Sequence, residues 1–213
     1  FRLLMRINKL ALTNFRSYNS LELELQPGVI TFIGDNGSGK TNIAESLIYL
    51  AFLSSHRVSN NVPLISLGNQ QAIIRAEVQR EDRSLQIDLE INASKANRAR
   101  INGNPTRSQR EILGACQVIY FSPEDLDLVR GDPNQRRDFL DKLLITRTPR
   151  IAGVIADYER VVKQRNALLK TRTSAAALVP WNEQLIKLGA ELTAERIALV
   201  DVLNPWVAKN YAN

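Results

Sequence analysis

Cysteine is nearly absent: Cys116 stands alone in 213 residues. That excludes a disulfide framework and leads us to expect a reduced, cytoplasmic setting. Histidine is equally scarce. His56 has no Ser, Cys or metal-type cluster around it in sequence, so it is no candidate for catalysis. Aromatic residues make up 6% of the chain. No apolar run approaches the roughly 20 residues a membrane helix needs. The first residues carry no signal-like pattern, and no membrane association is expected. The single methionine, Met5, is a candidate natural start preceded by Phe1-Arg2-Leu3-Leu4.

What the chain does have is basic charge, +6 at neutral pH with a pI near 9.7, and a hydrophobic content of 44%. The hydrophobic content suffices for one sizeable core, or for one core with a helical annex. The charge points to an acidic partner, nucleic acid first.

One stretch carries chemistry outright. Gly34-Asp35-Asn36-Gly37-Ser38-Gly39-Lys40-Thr41 fits G-x-x-x-x-G-K-[ST], the phosphate-binding P-loop. The glycines let the main chain turn tightly and approach a ligand, with N–H groups pointing inward around a phosphate. Lys40 supplies a compact cation for the β- and γ-phosphates, and the Thr41 hydroxyl is a ligand for Mg²⁺. The flanks agree. Val29 to Ile33 is apolar and β-branched and reads as a buried strand. Ile43, Leu47, Ile48, Leu50 and Ala51 recur at helical spacing, so Thr41 to about Leu53 reads as a helix whose N-terminus faces the phosphates.

Before the loop, Ile7 to Phe15 and the strictly alternating Leu21 to Leu25 read as paired antiparallel strands. After it, 54–69 reads as a loop, and Gln71 to Arg80 and Leu85 to Ile91 as a hairpin turning at Glu81-Asp82-Arg83-Ser84. Arg98 to Ile101 with Asn102-Gly103 opens another hairpin. Arg107 to Gly114 reads as a short helix, and Cys116 to Phe121 as a buried strand. Ser122-Pro123-Glu124-Asp125 then starts a helix. The acids after that strand do not fit a Walker B motif, because Pro123 and a capping residue intervene.

From Asp132 onward the pattern is helical. Asp132-Pro133 opens one helix and Pro149 a longer one; a second arm starts near Pro180-Trp181. Leu185, Leu192, Leu199 and Trp206 recur every seventh residue, the seam expected of an antiparallel helical hairpin. Residues 130–172 hold 11 Lys and Arg against 5 Asp and Glu, an excess as large as that of the whole chain. A solvated helix face and a surface for phosphate backbones both fit this clustering.

Taken in order, these stretches resemble a known family. Asn14-Phe15-Arg16-Ser17-Tyr18 followed by the P-loop looks like the head of an SMC-type ABC ATPase. Phe121-Ser122-Pro123-Glu124-Asp125-Leu126, Gly131 to Asp141, Lys163 to Leu169 and Pro180-Trp181 are similar to motifs of the bacterial RecF family. The resemblance implies an α/β fold: a P-loop NTPase lobe of ABC/SMC type with a mixed sheet over residues 1–130. It implies an α-helical arm lobe with an antiparallel hairpin over 131–213. It implies ATP and Mg²⁺ as cofactors, ATP-dependent homodimerisation, and slow hydrolysis in the full-length family. Implied partners are double-stranded DNA, single-strand/duplex junctions, and the RecO and RecR mediators, in gap repair and recombinase loading. Arg16 matches the arginine that such heads place near the phosphates, and Arg136 and Arg137 lie in a motif expected at DNA. Glu124 stands about where ABC ATPases carry the Q-loop glutamine, but a Pro-Glu pair replaces it.

The family's L-S-x-G-Q signature and Walker B acids are not found in these residues, which therefore read as the N-terminal portion of a longer protein. No catalytic residue is assigned. Weak nucleotide binding, negligible hydrolysis, an unpaired sheet edge and poor solubility are expected. Two other readings stay open: an unrelated P-loop NTPase or kinase, which would need a lid of arginines and an acceptor pocket, and a non-catalytic adaptor binding a partner through its helical hairpin.

Overall fold

The computed structural model describes residues 5–58, 60–81, 83–171 and 174–212. The side chains of Glu124 and Asp127 lie outside the described set, as do Asp82 of the expected hairpin turn and Arg172 of the basic cluster. The chain divides into two compact units, one through Tyr120 and one from Phe121 onward.

The first unit is a six-stranded sheet with one helix on its inner face. Strands β1 (Met5–Phe15) and β2 (Tyr18–Glu24) form a hairpin, and helix α1 (Lys40–Phe52) follows the glycine loop. Then come β3 (Gln71–Arg80), β4 (Arg83–Asn92), β5 (Arg98–Ile101) and the two-residue β6 (Asn104–Pro105). The order across the sheet is β2-β1-β3-β4-β5-β6. All these pairings are antiparallel, where a mixed sheet was expected. The reason is local: β1/β2, β3/β4, β4/β5 and β5/β6 are joined by short turns, which can only reverse the chain.

Alternation drives the layering. Leu10, Leu12, Ile74, Ile87, Leu89 and Ile91 point to one side and are wholly or almost wholly buried. They pack with Ile43, Tyr49 and Leu50 of α1 in one core. Burying each such side chain stabilises the fold by roughly 1.5–3 kcal/mol. Helix α1 ends where Leu53 takes a left-handed backbone (φ 55°) and its N–H donates to the Tyr49 carbonyl at 2.8 Å.

Two expected strands do not form. Val29 to Ile33 carries no ladder, and Val29 and Ile33 are 98% and 91% exposed. Cys116 to Phe121 makes only an isolated bridge at Cys116, with Ile119 and Phe121 exposed. A strand needs a neighbour for its N–H and C=O groups, and among the described residues none runs beside either segment. The stretch read as a short helix is a single 3₁₀ turn, Gln109–Ile112, closed by a capping box between Ser108 and Glu111.

The second unit is helical. A 3₁₀ turn at Pro123–Leu126 leads into α2 (Asp127–Arg130), then α3 (Pro133–Arg147), α4 (Ile151–Lys170) and α5 (Ala175–Tyr211). Asp132 caps α3, accepting from the Asn134 N–H at 2.7 Å. Helices α4 and α5 pack as a pair. Arg150 at the start of α4 bonds Glu191 and Glu195, whereas Arg165 near its end bonds Asn182, so the two run antiparallel. Helix α5 starts at Ala175, earlier than expected, and Pro180 and Pro205 lie inside it. The alanines nucleate the first turn well, and Pro180, the sixth residue of the helix, costs one backbone hydrogen bond that the length of the helix outlasts. Leu192 and Leu199 are buried with Leu144 and Ile151, and Leu203 packs against them, while Trp206 is 63% exposed. A helix of about 3.6 residues per turn drifts off a seven-residue repeat, so the seam passes to Leu203 and leaves Trp206 outside.

Candidate functional site: a glycine loop beside a clamped arginine

Gly34 to Ser38 lie at the surface ahead of α1, and Gly39 is buried at its start. Gly39 takes φ 97°, a backbone that side chains rarely adopt, and a Cβ there would stand 2.6 Å from the Tyr18 hydroxyl. Lys40 folds back over the loop: its Nζ donates to the Gly34 and Asp35 carbonyls, each at 2.7 Å. Its ammonium is thus held at the loop carbonyls. Thr41 is exposed in the first turn of α1. Glycines that admit close backbone approach, a cation at the loop and an exposed hydroxyl at a helix N-terminus suit a nucleotide phosphate with its divalent ion.

Arg16 sits in the turn between β1 and β2 with φ 54°, an unusual backbone for a long side chain. The turn is clamped. The Arg16 N–H donates to Leu64 O at 2.8 Å, and its carbonyl accepts from the Ser66 hydroxyl at 2.7 Å. Its guanidinium grips Glu45 of α1 with Nε at 2.8 Å and Nη2 at 2.6 Å, and Nη1 donates to Pro63 O at 2.8 Å. The next residues reach the glycine loop: Ser17 Oγ accepts from Asn42 Nδ2 at 3.0 Å, and Tyr18 lies over Gly39. The turn that carries Arg16 therefore lies beside the P-loop through Ser17 and Tyr18, while much of the hydrogen-bonding capacity of Arg16 itself is committed to Glu45.

Glu45, Ser55 and Arg57 were missed in sequence. Glu45 is fully buried, and its carboxylate also accepts from Ser55 Oγ and from Arg57 Nη1 at 3.3 Å. Burial pushes its pKa up, but the Arg16 and Ser55 hydrogen bonds and the charges of Arg16 and Arg57 outweigh that and hold it below the ordinary range. One signal was available: an acid inside the apolar run Ile43 to Phe52 has to be partnered. The loop bearing Pro63 and Leu64 is anchored in turn. Tyr49 donates to Asn61 Oδ1 at 2.8 Å and accepts from Asn97 Nδ2 at 3.2 Å. Burial drives the Tyr49 pKa up to about 12, the Asn97 bond offsetting part of the effect, so the hydroxyl keeps its proton.

His56 packs against the Tyr120 ring with centroids 5.4 Å apart. In the second unit Arg136 and Arg137 are exposed at the start of α3. Arg136 donates to the Leu128 and Gly131 carbonyls, and Arg137 to Asn134 Oδ1.

A strand hairpin carrying an arginine turn, a glycine loop and a helix rooted in it together define a P-loop nucleotide-binding domain. Residues 5–152 match the AAA ATPase domain family, and the chain belongs to it. The resemblance to RecF proteins is borne out along nearly the whole chain. It is 50% identical over 210 residues to the DNA replication and repair protein RecF of Kineococcus radiotolerans, covering 94% of this chain and 54% of that protein. It is 48% identical over 217 residues to the RecF protein of Streptomyces avermitilis, covering 97% and 58% respectively. The chain thus spans a little over half the length of these curated relatives. Among solved structures it is similar to the recombination mediator protein RecF-ATPrS in the RecFOR pathway, with a TM-score of 0.85 and 26% identity over 93% of this chain and 55% of that one. It shares the fold of the Smc head domain from Pyrococcus furiosus, with a TM-score of 0.54 and 19% identity over 94% of this chain and 58% of that one.

Proposed function

We propose that this chain binds ATP with Mg²⁺ through Gly34 to Thr41 and serves a RecF-type function in DNA replication and repair in the cytoplasm. The observation that carries the reading is the arginine turn locked against the P-loop, with Lys40 and Thr41 at the helix start. The bound nucleotide would supply the γ-phosphate charge whose presence or loss distinguishes two states. The chain's own groups do the rest. The N–H groups of Gly37 to Lys40 would hold phosphate oxygens, Lys40 would supply the cation beside them, and Thr41 Oγ1 would ligate the ion. Arg16 faces the same phosphates. The unit through Tyr120 then acts as the nucleotide lobe, and the helical unit as the arm.

In this reading the protein dimerises on ATP, binds duplex DNA and single-strand/duplex junctions, and works with RecO- and RecR-type mediators in gap repair. The 213-residue polypeptide itself turns ATP over negligibly, because no residue in it fits a Walker B acid or a signature motif. No helix among the described residues is long and apolar enough to cross a membrane.

The test is duplex DNA binding by anisotropy across a salt series, with and without ATP and Mg²⁺, beside Lys40→Ala, together with direct titration of ATPγS. Expected are ATPγS binding lost in Lys40→Ala and DNA binding that weakens steeply with salt. No ATPγS binding by the unaltered chain overturns the nucleotide assignment; turnover well above background that Lys40→Ala abolishes overturns the hydrolysis claim. A second reading, a partner-binding arm, is favoured by the exposed Ile186, Ile197 and Trp206 of α5; a partner interaction indifferent to nucleotide would favour it.

A further inference from the structure

One heavily bonded side chain of the first unit is one that no motif singles out. Glu45 lies four residues after Thr41 on α1, hence on the same helix face one turn further along. It is fully removed from solvent on a helix whose other buried residues, Ser46 apart, are apolar or aromatic. A leucine there would pack without desolvating a charge. The carboxylate is tolerated because four donors converge on it, three of them from two arginines. Arg16 is held edge-on by both oxygens and is only 15% exposed, whereas Arg57 is attached through Nη1 alone and is 43% exposed.

This grip has a direction. The backbone of the Arg16 turn is fixed by Leu64 and Ser66, but those bonds leave the long side chain free to rotate. Among the described residues, Glu45 and Pro63 O are what fix the guanidinium itself. Because Glu45 is on the helix that begins with Lys40 and Thr41, the helix that carries the P-loop cation also sets the position of the Arg16 charge. Two guanidiniums on one carboxylate leave a net positive charge beside the first turn of α1.

We propose that Glu45 is a positioning residue of the nucleotide site, acting through Arg16: it fixes the Arg16 guanidinium where the phosphates of a bound nucleoside triphosphate meet it. The proposal rests on the nucleotide reading above. A purely structural ion pair would be disposed differently in one measurable respect: its loss would lower stability without being coupled to Arg16 in nucleotide affinity.

The experiment titrates ATPγS with Mg²⁺ into the 213-residue polypeptide and its variants Glu45→Gln, Arg16→Gln, the double variant and Glu45→Asp, recording Tm without nucleotide for each. Expected are losses of about tenfold in affinity for Glu45→Gln and for Arg16→Gln, with the double variant no weaker than either single one. Glu45→Asp, which keeps the charge, should recover most of the affinity. Losses that multiply, or wild-type affinity in Glu45→Gln beside a weakened Arg16→Gln, overturn the proposal. Should Glu45→Gln fail to fold, Glu45→Asp decides. Its shorter carboxylate should weaken binding about threefold in the Arg16 background and not at all in the Arg16→Gln background; equal effects in both overturn it. No binding by the unaltered chain sinks the nucleotide reading and this inference with it, whereas normal binding by the unaltered chain with the wrong coupling sinks this inference alone.

Discussion

The Tyr18 hydroxyl stands 2.6 Å from the point a β-carbon on Gly39 would occupy, and Ser17 Oγ stands 3.0 Å from it. The arginine turn and the glycine loop therefore meet at a position where only hydrogen fits. Gly39→Ala is expected to cost about 1–3 kcal/mol, combining the clash with a left-handed backbone. In a Tyr18→Ala background the same substitution should cost less, since only the Ser17 contact and the backbone term remain. Chemical denaturation of the four proteins checks this; an identical cost in both backgrounds would refute the steric relationship.

Acid should unlock the first unit at Glu45. Its folded pKa is depressed, so its contribution to stability is complete above the ordinary glutamate value of 4.5 and is lost as pH falls through the folded value. Glu159 on α4 behaves in the opposite sense. Partial burial raises its pKa first, and Asp138 and Asp141 add to the rise. Its strain is absent below the ordinary value and grows as pH climbs through the folded one. Glu159→Gln is thus expected to raise Tm slightly at pH 7 and to leave it unchanged at pH 3, with the exposed side chain keeping the gain to a fraction of a kcal/mol. Thermal melts at both pH values decide it.

Helices α3 and α5 are joined by a two-pronged pair: Arg196 Nε and Nη2 donate to the two Asp141 oxygens at 2.8 and 2.7 Å, both side chains being mostly buried. Asp141→Asn should destabilise the helical unit by about 1–3 kcal/mol. The loss should shrink in an Arg196→Met background, because no unpaired guanidinium is left behind. Helical circular dichroism in urea provides the measurement.

Arg136 and Arg137 are exposed on α3 and anchored at its start. If the arm contacts phosphate backbones there, replacing both with alanine should weaken duplex binding alike for unrelated sequences. The slope of log K against log salt should become shallower by about 2. An unchanged slope would assign these arginines to the helix surface alone.

The fold was legible wherever one face is buried and the other wet. The alternation of Ala72, Ile74, Ala76 and Val78 opposite Leu85, Ile87, Leu89 and Ile91 specifies both strands and their register. Val29 to Ile33 and Cys116 to Phe121 have equally strand-like composition, yet composition says nothing about a neighbour to pair with, and neither segment has one among the described residues. The glycine loop was legible because close backbone approach demands particular residue types at particular spacings. The Glu45 cluster was not, because Arg16, Glu45, Ser55 and Arg57 meet only through the packing of a hairpin turn, a helix and a loop.

Helix α5 is 37 residues long, a rod of roughly 55 Å, and its buried side chains among the described residues, Leu192 and Leu199, lie two turns apart near its middle. Pro180 and Pro205, one toward each end, each remove a backbone donor and the bond it would make. Amide protons should therefore trade with solvent deuterium slowly around Leu192 to Leu199 and progressively faster outward in both directions. The rod is held along its N-terminal half by α4, through Arg165 and Asn182, whereas beyond Leu203 the residues through Ala212 are exposed and that end extends outside the core of the unit.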